Sequence, residues 1–157
     1  MEIILLSVNK TKNHNLKNLL DDYEKRISHY IKFSTINTSD IKNSKNLSPK
    51  EQKQKEGILI KKELKNGDLC ILLDESGELL SSNDFAEFLN KKYNANYKRI
   101  VFVIGGSYGF SESIYTLRNK KISLSRMTFT HQMTRLFFCE QLYRAHTIMK
   151  NENYHHT

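Results

Sequence analysis

Residues Arg99 to Phe110 read RIVFVIGGSYGF, and their reading decides the fold class. Val101, Phe102, Val103 and Ile104 form an unbroken apolar run, as in a strand covered on both faces of a parallel sheet. The run stops abruptly at Gly105-Gly106, and Ser107, Tyr108 and Gly109 follow. Glycine at the carboxyl end of such a strand lets the backbone turn sharply and approach a ligand closely. Open α/β sheets commonly bind ligands at that edge. The same glycines serve equally well to turn a corner, so this stretch alone leaves both roles open.

Working outward, further strand-like runs alternate with helical patterns. Glu2 to Val8 reads as a first strand, Phe33 to Asn37 as a short second one, and Asp68 to Leu73 (DLCILL) as a central one; Lys121 to Ser125 closes the series. Leu16, Leu19, Leu20, Tyr23, Ile27 and Tyr30 are spaced for one face of a helix. Ser48 can cap a second helix, with Pro49 at its first position and Glu51 completing a capping box. That helix is predicted to run to about Lys65, with Asn66-Gly67 as its stop. Ser81 to Asp84 cap a third, whose buried face is Phe85, Phe88 and Leu89, with Tyr93 a candidate fourth. A short helix is expected from Ser111 to Asn119, a turn at Asp74 to Glu78, and an exposed, mobile loop from Thr38 to Leu47. The pattern predicts a single α/β domain over residues 1–157, with a mostly parallel sheet and helices on both faces.

The last helix, about Gln132 to Asn151, carries Met133, Leu136, Phe137, Phe138, Leu142, Tyr143, Ala145, Ile148 and Met149. So wide an apolar arc calls for two partners. The sheet is one, and a second subunit is the expected other.

Bulk properties narrow the function. A chain of 157 residues can bury one real core. It contains no run of membrane-spanning length, and Met1 leads straight into a strand without a signal-peptide pattern, so a cytoplasmic protein is expected. Cys70 and Cys139 sit in apolar surroundings without metal-ligand spacing, which predicts buried, reduced thiols and no metal site. The net charge of +8 favours an anionic partner such as nucleic acid. Nineteen lysines against six arginines, with fifteen asparagines, also fit an A/T-rich coding background. Residues 1–99 carry 18 basic and 14 acidic side chains and residues 100–157 carry 7 and 3, so positive charge is denser in the half holding the glycine turn.

Several chemistries are excluded by motif. Gly105-Gly106-Ser-Tyr-Gly109 comes late in the chain and does not match the dinucleotide fingerprint; there is no P-loop, no H-E-x-x-H and no nucleophile elbow. Instead Leu73, Gly105 and the segment Leu124 to His131 each end or follow a strand, and in a parallel sheet those ends share one edge. Such an edge can hold an uncharged ring among apolar side chains and backbone amides. His131 is either a ligand at the mouth of that edge or simply a helix-start residue. Arg126 and Arg135 are either phosphate contacts or solvated charges. In the tail, Tyr154, His155 and His156 could bind a stray metal, be incidental, or reach a nucleic-acid base by stacking and hydrogen bonding.

Four segments occur together in one family. Val101 to Ser107 (VFVIGGS), Leu124 to Gln132 (LSRMTFTHQ), Glu140 to Ala145 (EQLYRA) and Tyr154-His155 stand in the order in which they resemble the ribosomal RNA large subunit methyltransferase H family, of the SPOUT superfamily. The likeness covers essentially the whole chain. It implies a deep trefoil knot near the carboxyl end, a homodimer, and methyl transfer from S-adenosyl-L-methionine to N3 of a pseudouridine in a 23S rRNA stem-loop on assembled ribosomes. Carried over by position, the cofactor contacts would be Leu73, Gly105, Leu124, Ser125, Arg126, Met127, Thr128 and Phe129, with Arg144, Tyr154 and His155 near the target base. Arg144 could stabilise an N3 anion and His155 could act as a base. Two positions depart from the family pattern. Thr130 stands where proline is usual, which predicts a less rigid cofactor loop, and Asn9 replaces a usual glycine, a mild change because asparagine tolerates left-handed geometry.

Two other readings compete. A non-catalytic RNA-binding module of the same fold predicts a basic surface without cofactor binding, against which the intact glycine turn and the Leu124–Phe129 loop argue. A related knotted tRNA methyltransferase would often carry extra RNA-binding segments, for which this chain is short.

Overall fold

The apolar run that ends at Gly105 forms β4 (Arg99–Ile104), the middle strand of the sheet. The computed structural model describes residues 1–117 and 120–156. With β1 (Glu2–Ser7), β2 (Lys32–Asn37), β3 (Leu69–Leu79) and β5 (Lys120–Ser123), the strands lie in the order β2-β1-β4-β3-β5, every pairing parallel. Parallel neighbours need crossovers. These contain α1 (His14–Ser28), α2 (Pro49–Glu63), α3 (Ser82–Tyr93) and α4 (Glu112–Tyr115), and α5 (His131–Met149) ends the fold.

Alternation along the strands feeds two separate cores. Ile3, Leu5, Ile71, Ile100 and Phe102 point to one face, where α1, α3 and α5 cover them with Leu20, Ile27, Phe85, Leu89, Phe138 and Leu142. Ile4, Leu6, Leu72, Val101 and Val103 point to the other, under Ile60 of α2 and Ile114 of α4. A run apolar at every position is therefore the signature of a sheet covered twice.

The expected caps form as read. Ser48 accepts from the Glu51 N–H and the Glu51 carboxylate accepts from the Ser48 N–H; Ser81 and Asp84 do the same for α3. Asn9 has a φ of 63°, the left-handed geometry asparagine tolerates.

Several expectations need correction. Asp74 to Glu78 is not a free turn. It is an irregular continuation of β3 that shifts register, so that Ile122 of β5 pairs with both Leu73 and Glu78. Gly77 is required there, because a Cβ would lie 2.6 Å from main-chain atoms of Ile122. The helix expected from Ser111 to Asn119 is the single turn α4, closed by the Thr116 N–H on the Glu112 carbonyl; Arg118 and Asn119 lie outside the described residues. Leu124 and Ser125 leave β5 because Ser123 Oγ donates to the Ser125 carbonyl and Ser125 Oγ accepts from the Met127 N–H. The Thr38–Leu47 loop contains a 3₁₀ turn at Ser44–Asn46, and Thr38 is buried, its N–H donating to the Ser7 carbonyl.

The broad apolar arc of α5 also finds its second partners within the chain. The helix packs on the sheet and is flanked by α1 and α3. Among its large apolar residues only Met133 and Phe137 remain exposed. Cys139 is buried and Cys70 half-buried; both thiols are free, and burial pushes Cys70 up to about 12, so neither is poised as a nucleophile. No helix among the described residues is long and apolar enough to cross a membrane.

Candidate functional site

The irregular middle of β3 and the carboxyl ends of β4 and β5 open together into a cleft of about 1280 Å³. Three chain segments make its walls: Leu73 to Ser76 at the irregular middle of β3, Ile104 to Phe110 leaving β4, and the loop after β5 leading into α5. Of the residues expected to hold a cofactor, Leu73, Gly105, Leu124, Ser125, Met127, Thr128 and Phe129 all line it. Arg126 is exposed and lies outside the lining.

The glycine turn is closed on itself. Gly109 has a φ of 76°, and its N–H donates to the Gly106 carbonyl. A Cβ on Gly105 would lie 3.3 Å from the Gly109 carbonyl group and from the Phe110 ring, a tight contact that glycine avoids. The result is a floor of main chain, flanked by Leu73 and Leu124, that can accept a flat uncharged group.

Polar contacts join the walls. Tyr115 Oη donates to Asp74 at 2.6 Å, and Thr128 Oγ1 donates to Glu75 at 3.1 Å, tying α4 and the loop after β5 to the middle of β3. Burial works against ionisation of Asp74, but hydrogen bonds from Ser76 and Tyr115 outweigh it and hold its pKa below the ordinary carboxylate value. Burial and Asp74 together push the Tyr115 phenol up to about 12. Neither residue was singled out in the sequence, since Asp74 lay inside an apparent turn.

Thr130, at the proline position, caps α5 by accepting from the Met133 N–H, and its carbonyl accepts from Thr134 Oγ1. His131 is the first residue of α5 and also lines the cleft. Burial and the nearby Arg135 lower its pKa. Arg135 is neither a phosphate contact nor a solvated charge: it is 3% exposed and donates to Thr11 Oγ1 and to the Val8 and Asn9 carbonyls.

Arg144, Tyr154 and His155 do come together, but outside the cleft. Glu140 is their centre. It accepts from Nε and Nη2 of Arg144, and from Tyr154 Oη at 3.2 Å. The guanidinium lies 4.7 Å from the centre of the Tyr154 ring, and Nη1 faces His155 Nδ1 at 3.3 Å. A guanidinium can only donate, so Nδ1 accepts and the other imidazole nitrogen, Nε2, carries the proton. Eleven residues of α5 separate Met133 in the cleft from Arg144, a rise of about 16 Å.

Charge and composition complete the picture. Among the described residues no cluster of three or more His, Cys, Asp or Glu side chains could hold a metal ion. Sequence reading also missed Glu56 and Gly57 on α2, which pack beneath the glycine turn and the start of α4. Glycine inside a helix is the signal that could have found them.

Comparison with known proteins agrees with this geometry. Residues 1–155 match a family described as "Predicted SPOUT methyltransferase". The chain is 57% identical over 156 residues to the ribosomal RNA large subunit methyltransferase H of Flavobacterium johnsoniae, across 99% of both chains. It is 51% identical over 156 residues to that of Parabacteroides distasonis, again across 99% of both. A solved structure described as a probable methylase family protein from Haemophilus influenzae superposes with a TM-score of 0.50 at 13% identity, over 95% of this chain and 66% of that one. At that identity the likeness is one of fold alone.

Proposed function

The chain belongs to the SPOUT methyltransferase family, and within it to the ribosomal RNA large subunit methyltransferases H; from that premise we propose that it transfers a methyl group from S-adenosylmethionine to N3 of a pseudouridine in a 23S rRNA stem-loop of the assembled ribosome, in the cytoplasm. The observation that carries this reading is the convergence of Leu73, Gly105 and the Leu124–Phe129 loop on one cleft. Its size, its main-chain floor at Gly105 and its apolar flanks suit an adenosine group held by backbone and aliphatic contacts.

When bound there, S-adenosylmethionine supplies a methyl group already activated by its sulfonium charge. The protein's task is then to bring N3 into line with that carbon. N3 must also lose its proton, which passes to water or to a group of the ribosome, and the Arg144 guanidinium is the cation that favours the resulting anion. Its Glu140 partner fixes the orientation and raises its pKa, so the charge is permanent. His155, with Nδ1 accepting from Arg144, offers an N–H donor at Nε2, which suits holding the base better than removing its proton.

The same reading includes a homodimer. Leu19, Met127, Phe129, Met133 and Phe137 are exposed around the cleft mouth, and Phe129 and Phe137 pack with ring centres 4.6 Å apart. An apolar surface of this kind suits a two-fold contact with a second copy. Such a contact would bring the Arg144 cluster of one protomer to its partner's cleft, which one chain alone does not do. The reading further includes a deep trefoil knot near the carboxyl end, as the family resemblance implies.

Isothermal titration with S-adenosylmethionine tests the proposal, using the wild type and Gly105→Leu, followed by methylation of ribosomes lacking the modification. Saturable binding that the variant loses, with methyl transfer by the wild type, supports it. A folded wild type that binds no S-adenosylmethionine sinks it and favours the RNA-binding module.

A further inference from the structure

The α2 residue Glu56 carries a carboxyl group 2% exposed, one of the few charged side chains buried in the fold. Its Oε1 accepts from Gln52 Nε2 at 2.9 Å. Its Oε2 has no hydrogen-bond partner among the described residues. Buried oxygens without partners are rare in folded proteins because water has been given up for nothing. Burial accordingly raises the Glu56 pKa, against the opposing hydrogen bond from Gln52.

The position of this carboxyl is specific. A Cβ built on Gly106 would lie 2.5 Å from both of its oxygens and 2.7 Å from Cδ. Gly106 does not have a left-handed φ, unlike Gly109, so its backbone conformation does not demand glycine. Space does: the carboxyl of Glu56 fills the place a side chain would take. The next residue, Gly57, repeats the arrangement, because Ser111 Oγ at the cap of α4 occupies the site of its missing side chain. Two adjacent residues of α2 thus seat both ends of the loop that floors the cleft. Glu56 itself does not line that cleft.

We propose that Glu56 is a positioning residue for cofactor binding: its carboxyl group props the Gly105-Gly106 turn from outside the cleft and holds the turn's backbone in the shape that receives S-adenosylmethionine. This rests on the methyltransferase reading above. A polar group left partly unsatisfied at such a place is a stability cost kept for function. An alanine at the position removes the unpaired oxygen and leaves the turn without its prop.

The test compares the wild type, Glu56→Ala and Glu56→Gln by thermal unfolding, by isothermal titration with S-adenosylmethionine, and by kcat and KM on ribosomes. Glu56→Ala is expected to unfold at or above the wild-type temperature, to bind S-adenosylmethionine about ten-fold more weakly, and to keep kcat at saturation within about two-fold. Glu56→Gln keeps the size and the acceptor and is expected to restore binding. Unchanged affinity in Glu56→Ala overturns the proposal, as does an affinity loss that tracks a lowered unfolding temperature or that glutamine does not rescue. Failure of both variants to fold also overturns it, since it would make Glu56 a residue of the core. A wild type that does not bind S-adenosylmethionine is a different result, and it removes the methyltransferase reading instead.

Discussion

Arg135, in the second turn of α5, donates from Nη2 to the main-chain carbonyl of Asn9 at 2.7 Å. The same nitrogen reaches the Val8 carbonyl at 2.7 Å, and Nη1 reaches Thr11 Oγ1 at 2.6 Å. One buried cation therefore fastens the loop after β1, with its left-handed Asn9, to the helix that ends the chain. Arg135→Leu leaves those carbonyls buried without donors and is expected to lower stability by about 2–4 kcal/mol. Arg135→Lys should recover little, because one ammonium cannot copy the planar fork. Urea unfolding measures both, and a leucine variant as stable as the wild type would refute this role.

Arg144 sits outside the cleft while being expected to act on the base, so binding and catalysis should separate. Arg144→Ala is predicted to bind S-adenosylmethionine within about two-fold of the wild type and to methylate ribosomes roughly 100- to 1000-fold more slowly. If the cluster serves the partner's cleft, mixing Arg144→Ala with Gly105→Leu under exchange should restore roughly a quarter of the activity, one working site in half of the dimers. No recovery in exchanged mixtures would assign cluster and cleft to the same protomer.

The fold was legible from the sequence because each strand declared at least its apolar part. The apolar runs at Glu2–Ser7, Leu69–Leu73 and Arg99–Ile104 carry side chains for two cores at once, and no other element reads that way. The cleft was legible for the same reason, since strand ends in a parallel sheet share an edge. Three features were hidden. Asp74 to Glu78 has the composition of a turn, and only its tertiary pairing with Ile122 makes it a strand. Arg135 looks like any surface arginine until its three acceptors, all at least 124 positions away, are assembled around it. The wide arc of α5 was read correctly as needing more than the sheet, but periodicity cannot say that α1 and α3 supply the contact.

The bond from Tyr115 Oη to Asp74 spans the cleft from α4 to the middle of β3. Removing it should loosen the walls without emptying the core, because Tyr115 is 37% exposed. Tyr115→Phe is expected to weaken S-adenosylmethionine binding about five-fold, on the order of 1 kcal/mol. Asp74→Asn should do less, since an amide oxygen still accepts. Titration calorimetry on the two variants decides, and wild-type affinity in Tyr115→Phe would dismiss the clamp.

His146 makes stability depend on pH. Its ring is 5% exposed and stacks between Tyr30, at 5.3 Å and 15°, and Tyr93, at 5.8 Å and 19°, with Tyr93 Oη 3.1 Å from Nε2. Burial, and then Lys150, push its pKa down to about 4. In the unfolded chain the ring titrates near 6.5. Between those values the unfolded state binds a proton that the folded state refuses, so stability falls as pH drops from about 6.5 to about 4. The slope from this group approaches about 1.4 kcal/mol per pH unit within that window and vanishes above it. Unfolding free energies from pH 4 to 8 should show that loss in the wild type. His146→Phe keeps the stack and removes the titration, so its curve should be flatter over the same range; parallel curves would place the acid sensitivity elsewhere in the chain.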